Sequence, residues 1–541
     1  MKKILIGTFL VTITFMGFSQ TPEFFDLRNV DGVNYVTAVK SQQGGTCWTH
    51  GSMASMEGNL MMSGNWTAQG EMGEPDLAEY HLDWWNGYNM YYNQDLDNPY
   101  NNGEGLEVHM GGDYRVTTAY MSRLEGAVRD IDGQSYNSAP DHYSNSYHIY
   151  YPKRVEWYNA GENLENIELI KEKVMEHGVM AICMCYSNEF IEGINHYQPQ
   201  SDDTEPNHSV SIVGWDNSHV TQAPNPGAWL VKNSWGTSWG DDGYFWIAFE
   251  DKQACRNPEM GAVSFIDVEI LEYDTAYYYD YHGWRDTLTS ASEAFNAFTA
   301  NVDEDIVAVS FFTAESNVDY TIKIFGEFTD GELADERITY SGNIEFSGLH
   351  TIDLPETVSF FEGEDFYLYV EFSAGGHPYD RTSDVPVLLG ASSRAIVTST
   401  ADENQSFYKD EDGEWLDFYN YNDPSGFQNT GNFCLKAIAN HNPTLGVQEL
   451  QQSKTGSFTF IAPSPFVSNT QMGYHLIKMA DVHIEVYSLN GQMIQVIDKG
   501  RQEEGDYQLQ WNADKLSNGI YFVSLKLNGV SVDRKKVVKT N

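Results

Sequence analysis

Gln42-Gln43-Gly44-Gly45-Thr46-Cys47-Trp48 leads into a run in which Met53, Met56, Leu60 and Met61 recur at spacings of three and four. That period marks one buried face of a helix over about 47–62. The glycines ahead of it read as a loop, so Cys47 falls at the helix N-terminus, where unpaired N–H groups and the macrodipole favour an anion. A free thiol, with a pKa of roughly 8.5, needs such help or a neighbouring imidazolium to act as a nucleophile near neutral pH. Further along, His208 opens the apolar run Val210-Ser211-Ile212-Val213-Gly214-Trp215, a buried strand, and Asn233 follows the short run Trp229-Leu230-Val231. A histidine on sheet is held firmly for proton transfer, and an asparagine carbonyl can accept from one imidazole nitrogen and fix its tautomer. Taken singly, a Cys or a His is more often structural. Cys47, His208 and Asn233 together supply a nucleophile, its base and the orienter of the base.

The same stretches carry a resemblance. Asp26-Leu27-Arg28, Val39-Lys40, Cys47-Trp48 and Met56-Glu57-Gly58 resemble the N-terminal part of the papain-like cysteine peptidases. His208-Ser209-Val210 is similar to that family's histidine strand, and Lys232-Asn233-Ser234-Trp235-Gly236 to its asparagine motif. Asp76-Leu77-Ala78-Glu79-Tyr80-His81-Leu82 and Gly111-Gly112 match further family stretches, and the similarity runs from about 24 to 270. The resemblance implies a thioester mechanism with Cys47, His208 and Asn233 as catalytic residues and Gln42 with the Cys47 N–H as the oxyanion hole. It places Gly111, Gly112 and Trp235 against substrate, Trp235 also shielding the His–Asn pair. The implied activity is a cysteine endopeptidase acting on proteins or peptides. The alternatives are an aminopeptidase on the same site, or a surface adhesin whose peptidase-like part is inert.

This chain also departs from the family. Gly44 stands where a disulfide cysteine is common, and Ser41 where the oxyanion glutamine is usual; anchoring on Val39-Lys40 selects Gln42 over Gln43. The intervals from Cys47 to His208 and Asn233 exceed the roughly 130–150 residues of the papain signature. Insertions rich in Tyr, Asn and Asp at 88–102 and 141–151 account for the extra length. His50, one turn from Cys47, reads as a core histidine.

At 541 residues and 41% apolar content the chain is long enough for several cores. From about 271 the texture becomes alternating runs such as Tyr320-Thr321-Ile322-Lys323-Ile324-Phe325, the pattern of an antiparallel sandwich. This stretch resembles the lectin-like domain appended to some bacterial papain-like peptidases, which makes a glycan a candidate partner, although most of its aromatics must first fill the core. The last region, with Asn490-Gly491 as a hairpin turn, resembles the C-terminal sorting domain of the type IX secretion system. The expected architecture is multidomain: an α+β papain-like peptidase with a helical and a β-barrel-like subdomain, a lectin-like β-sandwich, and a small C-terminal β-sandwich. Its expected limits are a signal peptide at 1–20, the peptidase at 21–270, the lectin-like region at 271–440, a linker at 441–453 and the sorting domain at 454–541.

A formal charge of −47, from 31 basic and 78 acidic residues, excludes nucleic acid as a partner, since phosphates require Lys and Arg. Lys2-Lys3, the apolar run that follows and Gly17-Phe18-Ser19 make a secretory signal peptide, and no other segment is long and apolar enough to span a membrane. The expected destination is the medium or the outer cell surface, reached through the periplasm, with the type IX secretion machinery as partner. Phe25 follows the cleavage point too closely to leave room for an inhibitory prodomain. No cofactor is expected: the acidic surface suits a structural calcium, but no EF-hand-like loop supports one, and 410–414 reads as a charged hairpin turn. Of five cysteines, Cys183 and Cys185 read as core residues of one strand, while a Cys255–Cys434 bridge stays open.

Overall fold

In the computed structural model the helix expected near 47–62 spans Cys47–Ser63. It is buried on every side from Cys47 to Leu60, not along one face. The reason lies in its small residues: Gly51, Ser52, Ala54 and Ser55 let neighbouring elements approach the backbone between the methionines, and a Cβ on Gly51 would run into the Ser209 hydroxyl. On one side lie the helices Glu79–Trp85 and Tyr114–Ser122. On the other is an antiparallel sheet that runs in the order Tyr150–Tyr158, Ala262–Ile270, Met180–Met184, His208–Asp216, Ala228–Lys232, Tyr244–Ala248. The structure describes residues 21–442, 456–488 and 493–540; the signal peptide, most of the expected linker and the Asn490-Gly491 turn lie outside the described residues.

The lectin-like region adds a six-stranded antiparallel sheet, ordered Glu332–Ile344, Val318–Thr329, Asp365–Phe372, Glu293–Thr299, Ser406–Lys409, Trp415–Asp417. Facing it are Glu304–Thr313, Gly348–Phe360 and Leu435–His441, and the aromatics meet between the layers, as at Phe311–Phe372 with ring centroids 5.3 Å apart. This second layer is continuous with the peptidase sheet, because Gly348, Leu349 and His350 pair with Glu156, Val155 and Arg154. The core follows suit. Leu349, Val385, Leu389 and Cys434 are packed in one cluster with Trp48, Tyr114 and Val155, and burying a side chain such as Leu349 contributes about 1.5–3 kcal/mol. The described parts of 21–299, 306–358 and 364–440 therefore form one compact unit. The 410–414 segment is the expected turn, with the Gly413 amide bonded to Asp410 O at 3.1 Å between paired strands.

The second unit takes in 300–305, 359–363 and the chain from 441. Its three-stranded sheet, Gly456–Ala462, Asn469–Leu476 and Gly505–Asn512, and its four-stranded sheet, Met493–Gln502, Ala480–Ser488, Gly519–Leu527 and Val530–Lys539, enclose Phe466, Tyr474, Val482, Ile484 and Trp511. The Cys255–Cys434 bridge left open by the sequence is not formed: all five cysteines are free and buried, and these two belong to different core clusters.

Candidate active site

Cys47 begins the central helix, and Thr46 before it makes no side-chain cap; its hydroxyl donates back to Gln43 O at 2.9 Å instead. The first-turn amides thus stay available to an anion at Cys47. The Cys47 thiol lies against the backbone of Ser209, the residue after His208. His208 is the first residue of its strand, paired with Met184, and its Nε2–H donates to Asn233 Oδ1 at 2.7 Å. Asn233 is fixed from both sides, its backbone N–H donating to Gly243 O at 2.9 Å and its Oδ1 accepting a second bond from Ser234 N at 2.8 Å. Trp235 stacks on the His208 ring at 4.4 Å and 26°, and is braced edge-on by Tyr186 and Trp239. The structure brings His208, Asn233 and Trp235 together, with Trp235 covering the imidazole, and sets the Cys47 thiol against the backbone of the residue that follows His208.

Gln42 reaches the same place. Its Oε1 accepts from Ser234 Oγ at 2.7 Å, its Nε2 donates to Gly44 O at 2.9 Å and its backbone amide donates to Ser234 O at 2.8 Å. Gln43 is exposed, and its backbone is anchored, the amide on the Tyr80 hydroxyl at 3.0 Å and the carbonyl by the Thr46 hydroxyl at 2.9 Å. Gly111 and Gly112 lie beside the nucleophile loop, with φ of 146° and 152°, and a Cβ on Gly112 would strike the Trp48 indole. A Cβ on Gly111 would meet the Val387 carbonyl of the lectin-like region, so that side of Gly111 is covered.

Burial dominates the electrostatics. It pushes the Cys47 thiol up to about 11 and His208 down to about 4, because creating either charge alone in the buried site is costly. A proton handed from Cys47 to His208 creates both charges at once, and their attraction in a low-dielectric site, with the helix amides, offsets much of that cost.

Sequence reasoning passed over the ionic bed beneath the site. Lys40 Nζ donates to Glu57 Oε1 and Glu79 Oε1, both at 2.8 Å, and pairs with Asp76 at 2.7 Å. Thr37 links this group to Lys232, accepting from Nζ at 2.9 Å and donating to Glu57 Oε2 at 2.6 Å. Burial would lower Lys40, but Glu57 and Glu79 hold it well above the usual lysine range; burial would raise Glu79, but Lys40 holds it at about 2. The network ties the 37–40 segment, the central helix and the strand before Asn233 into one support. The signal was present as charged residues inside apolar motifs. Among the described residues one group has metal-binding composition, Asp95, His282 and Asp380. Both ring nitrogens of His282 are already engaged, Nε2 with Gly87 O at 3.1 Å and Nδ1 with Ser399 Oγ at 2.8 Å.

Residues 21–264 match the model of the papain family of cysteine proteases, 276–439 that of a lectin-like domain, and 461–539 that of a secretion system C-terminal sorting domain. A cathepsin L-like peptidase of Aedes aegypti is 36% identical over 92 residues, 16% of this chain and 26% of that protein. Cathepsin Z of Onchocerca volvulus is 24% identical over 246 residues, 42% of this chain and 71% of its own length. The solved cysteine protease and lectin-like domains of Cwp84, a surface layer associated protein of Clostridium difficile, superpose with a TM-score of 0.61 at 20% identity, covering 78% of this chain and 90% of theirs. At that identity the likeness speaks for the fold, and it extends across both the peptidase and the lectin-like regions. Residues 21–264 of this chain thus belong to the papain family of cysteine proteases, and they are followed by a lectin-like domain and a secretion-system C-terminal sorting domain.

Proposed function

We propose that this protein is a secreted cysteine peptidase that hydrolyses peptide bonds through a thioester at Cys47. The observation that carries the reading is the 2.7 Å bond from His208 to Asn233 under the stacked Trp235, with Cys47 at an uncapped helix N-terminus against the neighbouring Ser209. In this mechanism Cys47 passes its proton to His208 and its sulfur attacks the peptide carbonyl; the Gln42 amide and the Cys47 N–H hold the oxyanion. His208 then protonates the leaving amine, and water activated by His208 releases the acid. Asn233 keeps the ring in the required tautomer. The sorting domain, read as a type IX signal, directs the chain through the periplasm to the outer surface or the medium. In the lectin-like region a cleft of about 490 Å³, lined by Tyr279, Phe328, Tyr367, Asp365 and Asn404, offers the aromatic faces and polar groups that a glycan uses.

Hydrolysis of a casein or peptide substrate by purified full-length protein tests the reading. Cys47→Ala is expected to abolish turnover with an unchanged far-ultraviolet circular dichroism spectrum, whereas undiminished turnover by that variant would refute the assignment. Asn233→Ala is expected to cost less than Cys47→Ala, because it removes the orienter and leaves nucleophile and base in place.

A further inference from the structure

The strands Ser383–Pro386 and Arg394–Val397 form a hairpin of the lectin-like region, and its tip reaches Gly111, Gly112 and Glu205. The base is tied to the 88–102 insertion and its flank: Asn93 Nδ2 donates to Thr398 O at 2.9 Å, Thr398 Oγ1 to Glu104 Oε2 at 2.6 Å, and Thr400 N to Asp95 Oδ2 at 2.6 Å. The tip touches both walls of the cleft. On the wall of the central helix, the Val387 carbonyl fills the space above Gly111, and the Leu389 N–H donates to Gly112 O at 3.1 Å. On the histidine wall, Ser392 N and Oγ each donate to the Glu205 carboxylate at 3.1 Å, three residues ahead of His208. Arg394 pairs with Glu259 at 2.6 Å on the same side. Leu389 is fully buried in the core that contains Trp48, and holds a positive φ of 47°, a conformation that a leucine keeps only where its surroundings enforce it. Anchored at base and tip, the hairpin is a wall of the cleft.

Gly111-Gly112 is a bare backbone edge seated on Trp48, next to the nucleophile. An extended peptide binds such an edge through its own N–H and C=O groups, and the acceptor it would use on Gly112 is already taken by Leu389. The chemistry fixes which part of the substrate this concerns. His208 must reach the leaving nitrogen, so the residues after the scissile bond run past the imidazole and Trp235. The acyl residues, those before the bond, run the other way, along Gly112.

We propose, on the reading of Cys47 as the nucleophile, that the 387–393 tip fills the acyl end of the cleft. The enzyme then accepts one or two residues before the cleaved bond and removes them from the amino ends of peptides, in place of cutting in mid-chain. The lectin-like region is by this account a specificity element of the peptidase.

The test uses fluorogenic amides with one to four residues ahead of a common leaving group, supplied to the purified full-length protein and to a variant in which 387–393 is replaced by Asn-Gly, a two-residue hairpin turn. For the unaltered protein kcat/KM is expected to drop at least about tenfold when a third residue is added, and the shortened tip is expected to raise the ratio of long to short turnover by a similar factor. Should that variant fail to fold, digestion of an unblocked twenty-residue peptide by the unaltered protein decides the matter. Successive losses from the amino end support the tip as a wall, and internal cuts overturn it. Equal cleavage of short and long substrates, with Cys47→Ala inactive, overturns the tip proposal and leaves the peptidase reading standing. Failure to cleave any of them, with Cys47 unreactive toward a thiol-directed epoxide, overturns both.

Discussion

The two β-rich regions that follow the peptidase part are built alike and joined differently. The lectin-like region extends the peptidase sheet through the pairing of 348–350 with 154–156 and gives Leu349, Val385 and Leu389 to the core that holds Trp48. The C-terminal region closes its own core around Tyr474, Val482, Ile484 and Trp511 and belongs to the second unit. A module that shares a core is part of the enzyme, and a module with its own core is cargo or address. Composition alone does not separate the two cases, because both regions alternate apolar and polar residues in the same way.

Truncation breaks the comparison most severely. A chain ending at 270 exposes the apolar side of Trp48, Tyr114 and Val155, and is expected to lose soluble yield and all hydrolysis. A chain ending at 442 is expected to hydrolyse within about twofold of the full protein while losing export. Soluble yield, turnover and the protein found outside the cell measure this. Next come two matched core deletions: Leu349→Ala is expected to cost about 2–5 kcal/mol and Trp511→Ala about 3–5 kcal/mol. The first is expected to lower the unfolding transition that abolishes hydrolysis. The second is expected to lower only a transition during which hydrolysis persists, and calorimetry paired with activity reads the difference.

Acid sharpens the contrast further. Burial holds His81 and His377 down to about 4 and His282 down to about 3, all in the first unit. In the unfolded chain these side chains titrate near about 6.5, so below that pH the unfolded state binds protons that the native state refuses. The stability they contribute is fully present above about pH 6.5 and is lost as pH falls toward 4. The first unit is expected to lose more than about 5 °C in Tm between pH 7 and 5, whereas His475 and His483 of the C-terminal unit are not buried. The smallest effect is expected from Arg394→Ala, whose half-exposed pair with Glu259 is worth at most about 1 kcal/mol.

Local sequence made the centre of the molecule legible. The period of Met53, Met56 and Leu60 predicts the helix almost to its last residue, and the apolar runs beside His208 and Asn233 predict their strands. These elements are specified by their own side chains. What the sequence did not disclose depends on long-range packing. Full burial of the central helix depends on which elements approach Gly51 and Ser55, and the cover over Gly111 comes from Val387, far along the chain. The Tyr-rich insertion at 88–102 reads as mere extra length until Asn93 and Asp95 are seen to hold the base of the hairpin. The ionic bed of Lys40, Glu57 and Glu79 is likewise assembled from three separated segments.

The central claim is that the sulfur of Cys47 performs the chemistry, and titration of purified full-length protein with a thiol-directed epoxide tests it most directly. One equivalent is expected to abolish hydrolysis, with the adduct on Cys47 and the four other buried cysteines unmodified. Hydrolysis that survives full modification of Cys47, or an adduct found elsewhere when activity is lost, would contradict it.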